Sequence, residues 1–462
     1  MTSSPTTSIS PDIDSPESRT PEGGGRRAAR PRHGLLERLG IPVSLRWGFI
    51  AVLLFMTGTG VESNFISPFM AGAFADQGAA NTAATIIALY GVSALVASYF
   101  SGVLSDLWGP KKVMMLGFAV WVVFEIAFLF SVQAGSVPLT AASYALRGLG
   151  FPLFAFSFLS WVNHVVPQKR NGVAVGWFYV AYTGGLPTLG SLVALFAIPA
   201  FGGGLLGEFR TMMISGVLVI AGFVVLMVGA HEKSGLGRIA PAGHSTGRVL
   251  MAGITAAIRE PRLVGGMVVR LINTAPQYGM FIIMPAVITT ELGWGQSRWL
   301  TMTVIVYGGN IIFNALFGAL GDRIGWIRTV KWYGIAAAAG GLLAWWYVAH
   351  LVPAGSDWGF WVTTAAGTTF GILLAGFTPM GAVIPALVPT NRGAAMSMYA
   401  TAAGGAVFLG NLVVAAVLPW GGPTTVVWAF VALYAVAFVM LTVIRFPDPI
   451  RDELQEKSRL AS

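Results

Sequence analysis

The chain has 462 residues, of which 55% are hydrophobic and only 10% charged, with a mean hydropathy of +0.71. A soluble fold carries about 25% charged residues to wet its surface, so lipid must cover much of this one, and a disordered or coiled-coil chain is excluded. Absence of cysteine removes disulfides, thiol nucleophiles and cysteine metal sites, and the meaning of the net charge of +9 depends on where the 28 lysines and arginines lie.

Residues 1 to about 40 are rich in Ser, Thr, Pro, Gly and Arg and lack apolar periodicity, so a disordered tail is expected there. No signal peptide is read, because no short apolar core with a cleavage site precedes the first long hydrophobic run. From Trp47 onward, apolar stretches recur, each long enough to cross a hydrocarbon core of about 30 Å as a helix. Twelve are predicted, at 47–74, 84–105, 112–132, 139–165, 171–197, 211–230, 263–290, 299–321, 328–351, 357–388, 392–418 and 423–445. The polar stretch from His231 to Arg262 divides them six and six. The predicted organisation is a tail over 1–40, a half over 41–230, a linker over 231–262, a second half over 263–445 and a tail over 446–462.

Of the 28 cations, 24 fall in the tails and in the loops on their side, including Lys111, Lys112, Lys169 and Arg170. The opposite loops hold Arg210 and Arg298, and Arg147 and Arg270 fall within spans. Positive charge therefore puts both termini in the cytoplasm, and nucleic-acid binding is not needed to explain it.

A duplication is visible. GVLSDLWG at Gly102 to Gly109 and GALGDRIG at Gly318 to Gly325 share G-x-L-x-D-x-x-G with every matched position offset by 216. Val-Pro-x-x-Arg recurs at Val166 to Arg170 and Val388 to Arg392, and each copy is followed by a Gly-Gly pair, Gly184-Gly185 and Gly404-Gly405. Repeats of this kind place a substrate site at mid-membrane between two rocking halves.

The loop Gly102, Asp106, Gly109, Lys111, Lys112 resembles the signature G-x-x-x-D-x-x-G-x-K/R-K/R of the major facilitator superfamily. Three segments, Arg38 to Glu62, Tyr144 to Val162 and Arg270 to Gly279, resemble its polyol porter family of ribitol and D-arabinitol proton symporters. The resemblance runs from about residue 38 to 445. It implies an all-α membrane fold of twelve helices in two pseudo-symmetric halves, and a substrate cavity lined by helices 1 and 4 with helix 3 outside it. One branch of the family is assigned to 2-oxoglutarate. The chain departs from the family pattern at Thr59, where an acidic residue is usual, which leaves Glu62 as the only acid of that segment. The helix 5 antiporter signature G-P-x-x-G-G is replaced by Gly185-Leu186-Pro187-Thr188-Leu189-Gly190, so symport or uniport is expected.

Ionisable groups inside spans are costly and usually functional. Arg147 needs an acid, and Glu62 and Glu125 are the intramembrane carboxylates of its half. A carboxylate beside an arginine in a cavity that opens and closes can exchange protons. Glu62 is the first choice and Glu125 the second, against a static ion pair. Asp106, with Gly102, Gly109, Lys111 and Lys112, is expected to latch against the N-terminus of helix 11, and Gly318, Asp322 and Gly325 to act likewise toward helix 5; solvated loop acids are the simpler reading. Asn273, Thr274, Gln277 and Tyr278 share one face of helix 7, and Tyr307, Asn310 and Asn314 one face of helix 8. Their amides and phenols suit hydroxyl groups, or else bond helix to helix. Arg270 is a gate or substrate contact or a snorkelling cation. Tyr182, Trp161 and Trp177 offer stacking faces or packing.

His231-Glu232 fails as a zinc motif because Gly235 holds the fifth position, and no P-loop exists, so no metal or cofactor is expected. The sequence points to a transporter of a sugar alcohol with protons, a monomer in a bacterial inner membrane. The alternatives are a 2-oxoglutarate or dicarboxylate permease and a transporter-like sensor. An enzyme is not expected, because no clustered nucleophile, metal or acid pair is present.

Overall fold

The computed structural model describes residues 41–75, 79–166, 168–230, 235–239, 245–389 and 392–448. The expected tail over 1–40, residues 449–462 of the expected tail over 446–462, residues 231–234 and 240–244 of the expected linker, and the side chains of Lys169, Arg170 and Arg392 lie outside the described residues.

The described residues form helices joined by short turns, with no strand among them. Long apolar runs have one way to satisfy their backbone in lipid, by bonding within the segment. The membrane-length helices are α1 (Val43–Gly60), α2 (Thr82–Trp108), α3 (Pro110–Gln133), α4 (Val137–Val165), α5 (Ala174–Ala200), α6 (Gly204–Gly229), α7 (Pro261–Glu291), α9 (Trp326–Leu351), α10 (Asp357–Leu387) and a run over Ala394–Val443. Between α7 and α9 lies α8, Gly295–Asn314 with Leu316–Ile324, bent by 41°. Ten helices are thus long and apolar enough to cross a membrane among the described residues, or eleven with α8 as one span. The last run is broken at Gly422 (φ 70°, ψ 177°), and the stretches 394–421 and 423–443 are called α11 and α12.

Two boundaries differ from the sequence reading. The first predicted span is two helices, since the chain turns at 61–65 before the short helix Ile66–Ala73. The sixth starts at Gly204 rather than 211, which brings Glu208 and Arg210 into it. The linker also contains two short helices, Thr246–Leu250 and Ala252–Arg259.

Positive-φ glycines recur in step between the first six helices and the last six. Gly109 (φ 97°, ψ 135°) precedes α3 as Gly325 (φ 105°, ψ 139°) precedes α9. Gly203 (φ 67°, ψ 178°) precedes α6 as Gly422 precedes α12, and Gly135 and Gly355 occupy the α3–α4 and α9–α10 turns. At Gly109 and Gly325 a side chain would be strained, because the turn that redirects the chain needs the left-handed region.

The outer surface is apolar: Phe130, Phe196, Ile312 and Val228 are each about two-thirds exposed. The interior holds Arg147, Glu62 and Glu125, all nearly inaccessible. Such an inverted distribution belongs to a body bathed in lipid around a polar centre.

Candidate functional site

Three elements bring the central charges together. Glu62 sits where α1 ends, and its own carbonyl accepts from the N–H groups of Phe65 (2.9 Å) and Ile66 (2.8 Å), starting the next helix. The break is pinned against α5 through glycines, for a Cβ on Gly190 would come within 2.3 Å of the Gly60 carbonyl carbon. The facing segment, Gly184–Leu189, is a π-helical turn containing Pro187. So the residues that replace an antiporter signature form the seat for the break that carries Glu62.

Arg147 comes from α4 and Glu125 from α3. The Arg147 guanidinium grips Glu62 with both Nη atoms, Nη1 lying 3.0 Å from Oε2, and the same Nη1 donates to Oε2 of Glu125. Tyr144, one turn before Arg147, donates its hydroxyl to Glu62 Oε1 at 3.2 Å. Aromatic rings surround the cation: Tyr144 at 4.4 Å, Phe128 at 5.1 Å, Trp121 at 5.4 Å and Tyr90 at 5.9 Å. Ring faces attract a desolvated guanidinium, and two carboxylates against one cation offset its burial further. Both acids named from the sequence therefore reach Arg147. Oε1 of Glu125 and Nε of Arg147 have no hydrogen-bond partner.

Beside this cluster lies a cavity walled by residues of both sequence halves. Its polar wall is Thr59, Glu62, Ser63, Tyr90, Tyr144, Tyr278 and Asn411. Phe151, Leu186, Phe281, Ile282 and Val407 supply apolar surface. Outside the cavity wall, Trp299 Nε1 on α8 donates to the Asn64 carbonyl at 2.6 Å, and Gln296 donates to Glu208. Tyr179 on α5 meets the rings of Phe377 on α10 and Tyr399 on α11.

The sequence candidates divide. Tyr278 reaches the cavity, and Tyr182 stacks beside it among Phe156 and Phe178. Asn273 bonds helix to helix instead, its Nδ2 donating to the Gly334 carbonyl at 2.6 Å, and Thr274 bonds Asn273 and Arg270. Asn310 likewise donates to the Gly371 carbonyl at 2.7 Å, and Asn314 to Asn310. Gln277 and Tyr307 are buried outside the cavity wall. Trp161 lies at the far end of α4 against Gly235 of the linker, remote from the cavity. Trp177 packs at the edge of the cluster that includes Tyr182. Arg270 is 4% exposed, donates to Thr274, lies 3.8 Å from the Phe377 ring centre and has no partner for Nε.

The motif loops are also tied down. Gly102 faces Ser397 of α11, the Asp106 carbonyl accepts from Ile239 N–H at 3.0 Å, and Gly109 lies beneath the linker backbone at Gly235 and Gly237. Lys111, expected as part of the Asp106 latch, donates to the carbonyl of Ala230 just past α6 at 2.7 Å. Lys112 follows it in the first turn of α3. In the second copy, Gly318 faces Thr378, Asp322 accepts from Trp326 Nε1 at 2.9 Å, and Gly325 faces the Asp448 carboxylate.

Sequence reasoning missed Tyr90, Tyr144, Ser63 and Asn411 as cavity residues; the available signal was a polar side chain within an apolar run, as at Asn411 of α11. It also missed Glu208, because the sixth span was begun too late.

Comparisons with known proteins agree with this architecture. Residues 48–375 and 266–461 match the model of the Major Facilitator Superfamily. The chain is 34% identical over 402 residues to the alpha-ketoglutarate permease of Bacillus subtilis, covering 87% of this chain and 89% of the relative. It is 33% identical over 427 residues to the D-arabinitol transporter of Klebsiella pneumoniae, and 31% identical over 426 residues to the ribitol transporter of the same organism. Each covers 89% of this chain and 94% of the relative. The apolar helices, the paired loops and these whole-length likenesses agree: the chain belongs to the Major Facilitator Superfamily, as a multi-pass membrane transporter rather than an enzyme, and groups with its polyol porters.

Proposed function

We propose that the protein imports a small polyhydroxylated solute, a pentitol or related sugar alcohol, together with protons, by alternating access in the plasma membrane. The observation that carries this reading is the cavity wall. It offers hydroxyls, phenols and one amide with a single carboxylate, Glu62, and no lysine or arginine is among the residues lining it. A neutral solute with many hydroxyls finds donors and acceptors there, whereas a dianion would meet Glu62 without a lining cation. Relatives that transport D-arabinitol and ribitol support the same class.

The chain works as a monomer of two six-helix halves, 41–230 and 263–445, with both termini cytoplasmic and twelve crossings when α8 counts as one and the last run as two. The matched glycine turns support this division. Asp106 and Asp322 bias the rocking of the halves from the loop ends, and Glu62, Glu125 and Arg147 couple it to protons. One observation favours a second reading: buried Arg270 has no carboxylate partner among the described residues, which suits an anionic solute such as 2-oxoglutarate. Uptake of labelled ribitol, D-arabinitol and 2-oxoglutarate into proteoliposomes, with and without a pH gradient, decides. Pentitol accumulation only with the gradient is expected; accumulation of 2-oxoglutarate alone would overturn the assignment.

A further inference from the structure

The central cluster holds two carboxylates and one guanidinium, and the carboxylates are not equivalent. Glu62 is saturated: both Nη atoms of Arg147 and the Tyr144 hydroxyl point at it. Glu125 shares one Nη1 through Oε2, while its Oε1 is buried without any partner. Glu62 lines the cavity and Glu125 does not. With both acids ionised the cluster would carry one uncompensated negative charge beside Phe128 and Trp121, in a place where isolated charge is very costly. One added proton neutralises it.

We propose that Glu125 is the residue that holds the transported proton, and that Glu62 is the substrate contact. This rests on the proton-coupled reading above and assigns its parts. A proton on Oε1 of Glu125 occupies the carboxyl oxygen that makes no other bond and leaves the Oε2 contact with Arg147 in place. Solute hydroxyls donate to Glu62, which stays ionised, so solute and proton occupy different acids and are carried together. On the side where the solute leaves, water enters beside Arg147, whose guanidinium favours the carboxylate form of Glu125; Glu125 then gives its proton to that water, and the O–H bond broken is the one at Glu125. The charged and titratable groups facing Glu125 are Arg147 from α4, Glu62 from the α1 break and Tyr90 from α2. Arg147 is the cation among them, and its position sets the balance.

The test separates where the proton sits from whether the protein transports. Infrared spectra of purified protein at neutral pH should show a protonated-carboxyl stretch that shifts in Glu125→Asp and is unmoved in Glu62→Asp, substitutions that keep the charge of the cluster. In proteoliposomes, Glu125→Gln should lose pH-driven pentitol accumulation while keeping counterflow within about threefold of wild type, and Glu125→Asp should restore part of the accumulation. Glu62→Gln should weaken pentitol binding at least tenfold. The assignment is overturned if the infrared band instead shifts in Glu62→Asp, if neither aspartate substitution changes it, or if Glu125→Gln accumulates pentitol like wild type. Should Glu125→Gln fail to fold, the infrared comparison of wild type with Glu125→Asp decides: a shifted band supports Glu125, and an unmoved one refutes it. Wild-type vesicles that accumulate no pentitol, with the band still shifted in Glu125→Asp, would sink the substrate reading and leave the proton on Glu125.

Discussion

The α3–α4 pair and the α9–α10 pair hold corresponding places in a duplicated sequence, yet their interiors are opposites. An offset of 216 carries Glu125 to Gly341, and the offset of 220 between Gly135 and Gly355 carries Arg147 to Gly367. In the second pair these glycines are packing positions: Gly341 faces the Phe370 backbone, and Gly367 faces the buried ring of Trp345 and Val306. The same backbone scaffold thus encloses an ion cluster on one side and a close-packed apolar seam on the other. The buried carboxylates of the cluster come from one half, while the other contributes Tyr278, Phe281 and Asn411 to the cavity.

The largest expected effect comes from removing the cation. Arg147→Leu leaves Glu62 and Glu125 buried with no compensating charge, and breaking a buried ion pair this way costs about 3–5 kcal/mol. Transport should be abolished and thermal unfolding in detergent should occur at clearly lower temperature. Normal stability would mean that the cluster is not held together electrostatically. The mirror experiment is Gly367→Ala, where the new methyl carbon would lie 2.8 Å from Trp345. Overpacking of this kind costs about 1–3 kcal/mol, so α9–α10 should lose stability without any change in the pH dependence of uptake. A changed pH profile would show that the apolar seam takes part in coupling.

What the sequence made legible follows the physics of each feature. The spans were readable because lipid demands long apolar runs, and the repeat because Gly109 and Gly325 need an unusual backbone. That Arg147 required an acid was readable as well, since few ionisable groups lie inside spans. Which acid it takes was not, because the answer depends on how α3 and α4 are rotated about their axes, and both Glu62 and Glu125 turned out to reach it. The polar face of α7 failed in the same way. Spacing puts Asn273, Thr274, Gln277 and Tyr278 on one face of α7 but does not say which neighbour each meets, and Asn273 bonds the Gly334 carbonyl of α9 while Tyr278 lines the cavity. The break at 61–65 carries no proline; it is set by close contact with α5, which is a tertiary property.

A smaller effect distinguishes the cavity wall from the seam within the second half. Asn411 on α11 lines the cavity and donates to the Ile87 carbonyl at 2.9 Å, whereas Asn310 donates to Gly371 away from it. An uncharged hydrogen-bonding partner is worth about 0.5–1.5 kcal/mol. Asn411→Ala should therefore weaken pentitol binding by several-fold, measured by calorimetry or transport KM. Asn310→Ala should lower thermal stability by a similar energy and leave affinity alone. If Asn310→Ala is the one that weakens binding, the cavity described here is not where the solute rests.

The smallest effect probes the two motif loops, where the halves again solve one problem with different groups. After its sixth helix each half sends the chain back over its glycine turn. In the first half the cover is backbone, at Gly235 and Gly237 over Gly109, with Lys111 holding the Ala230 carbonyl past the end of α6. In the second the cover is a side chain: Asp448 accepts from the N–H groups of Trp326 (3.2 Å) and Ile327 (3.0 Å) at the start of α9. An anion at a helix N-terminus and a cation at a C-terminus each stabilise by about 0.3–1 kcal/mol. Asp448→Asn keeps one accepting oxygen and loses the charge, and Lys111→Met loses the donor but keeps the stem. Each should lower Tm by about 1–3 °C. Neither should change pentitol affinity, because neither residue borders the cavity. A slower transport cycle with unchanged Tm in Lys111→Met alone would mark the first loop, and not the second, as the one whose closure limits the turnover of the carrier.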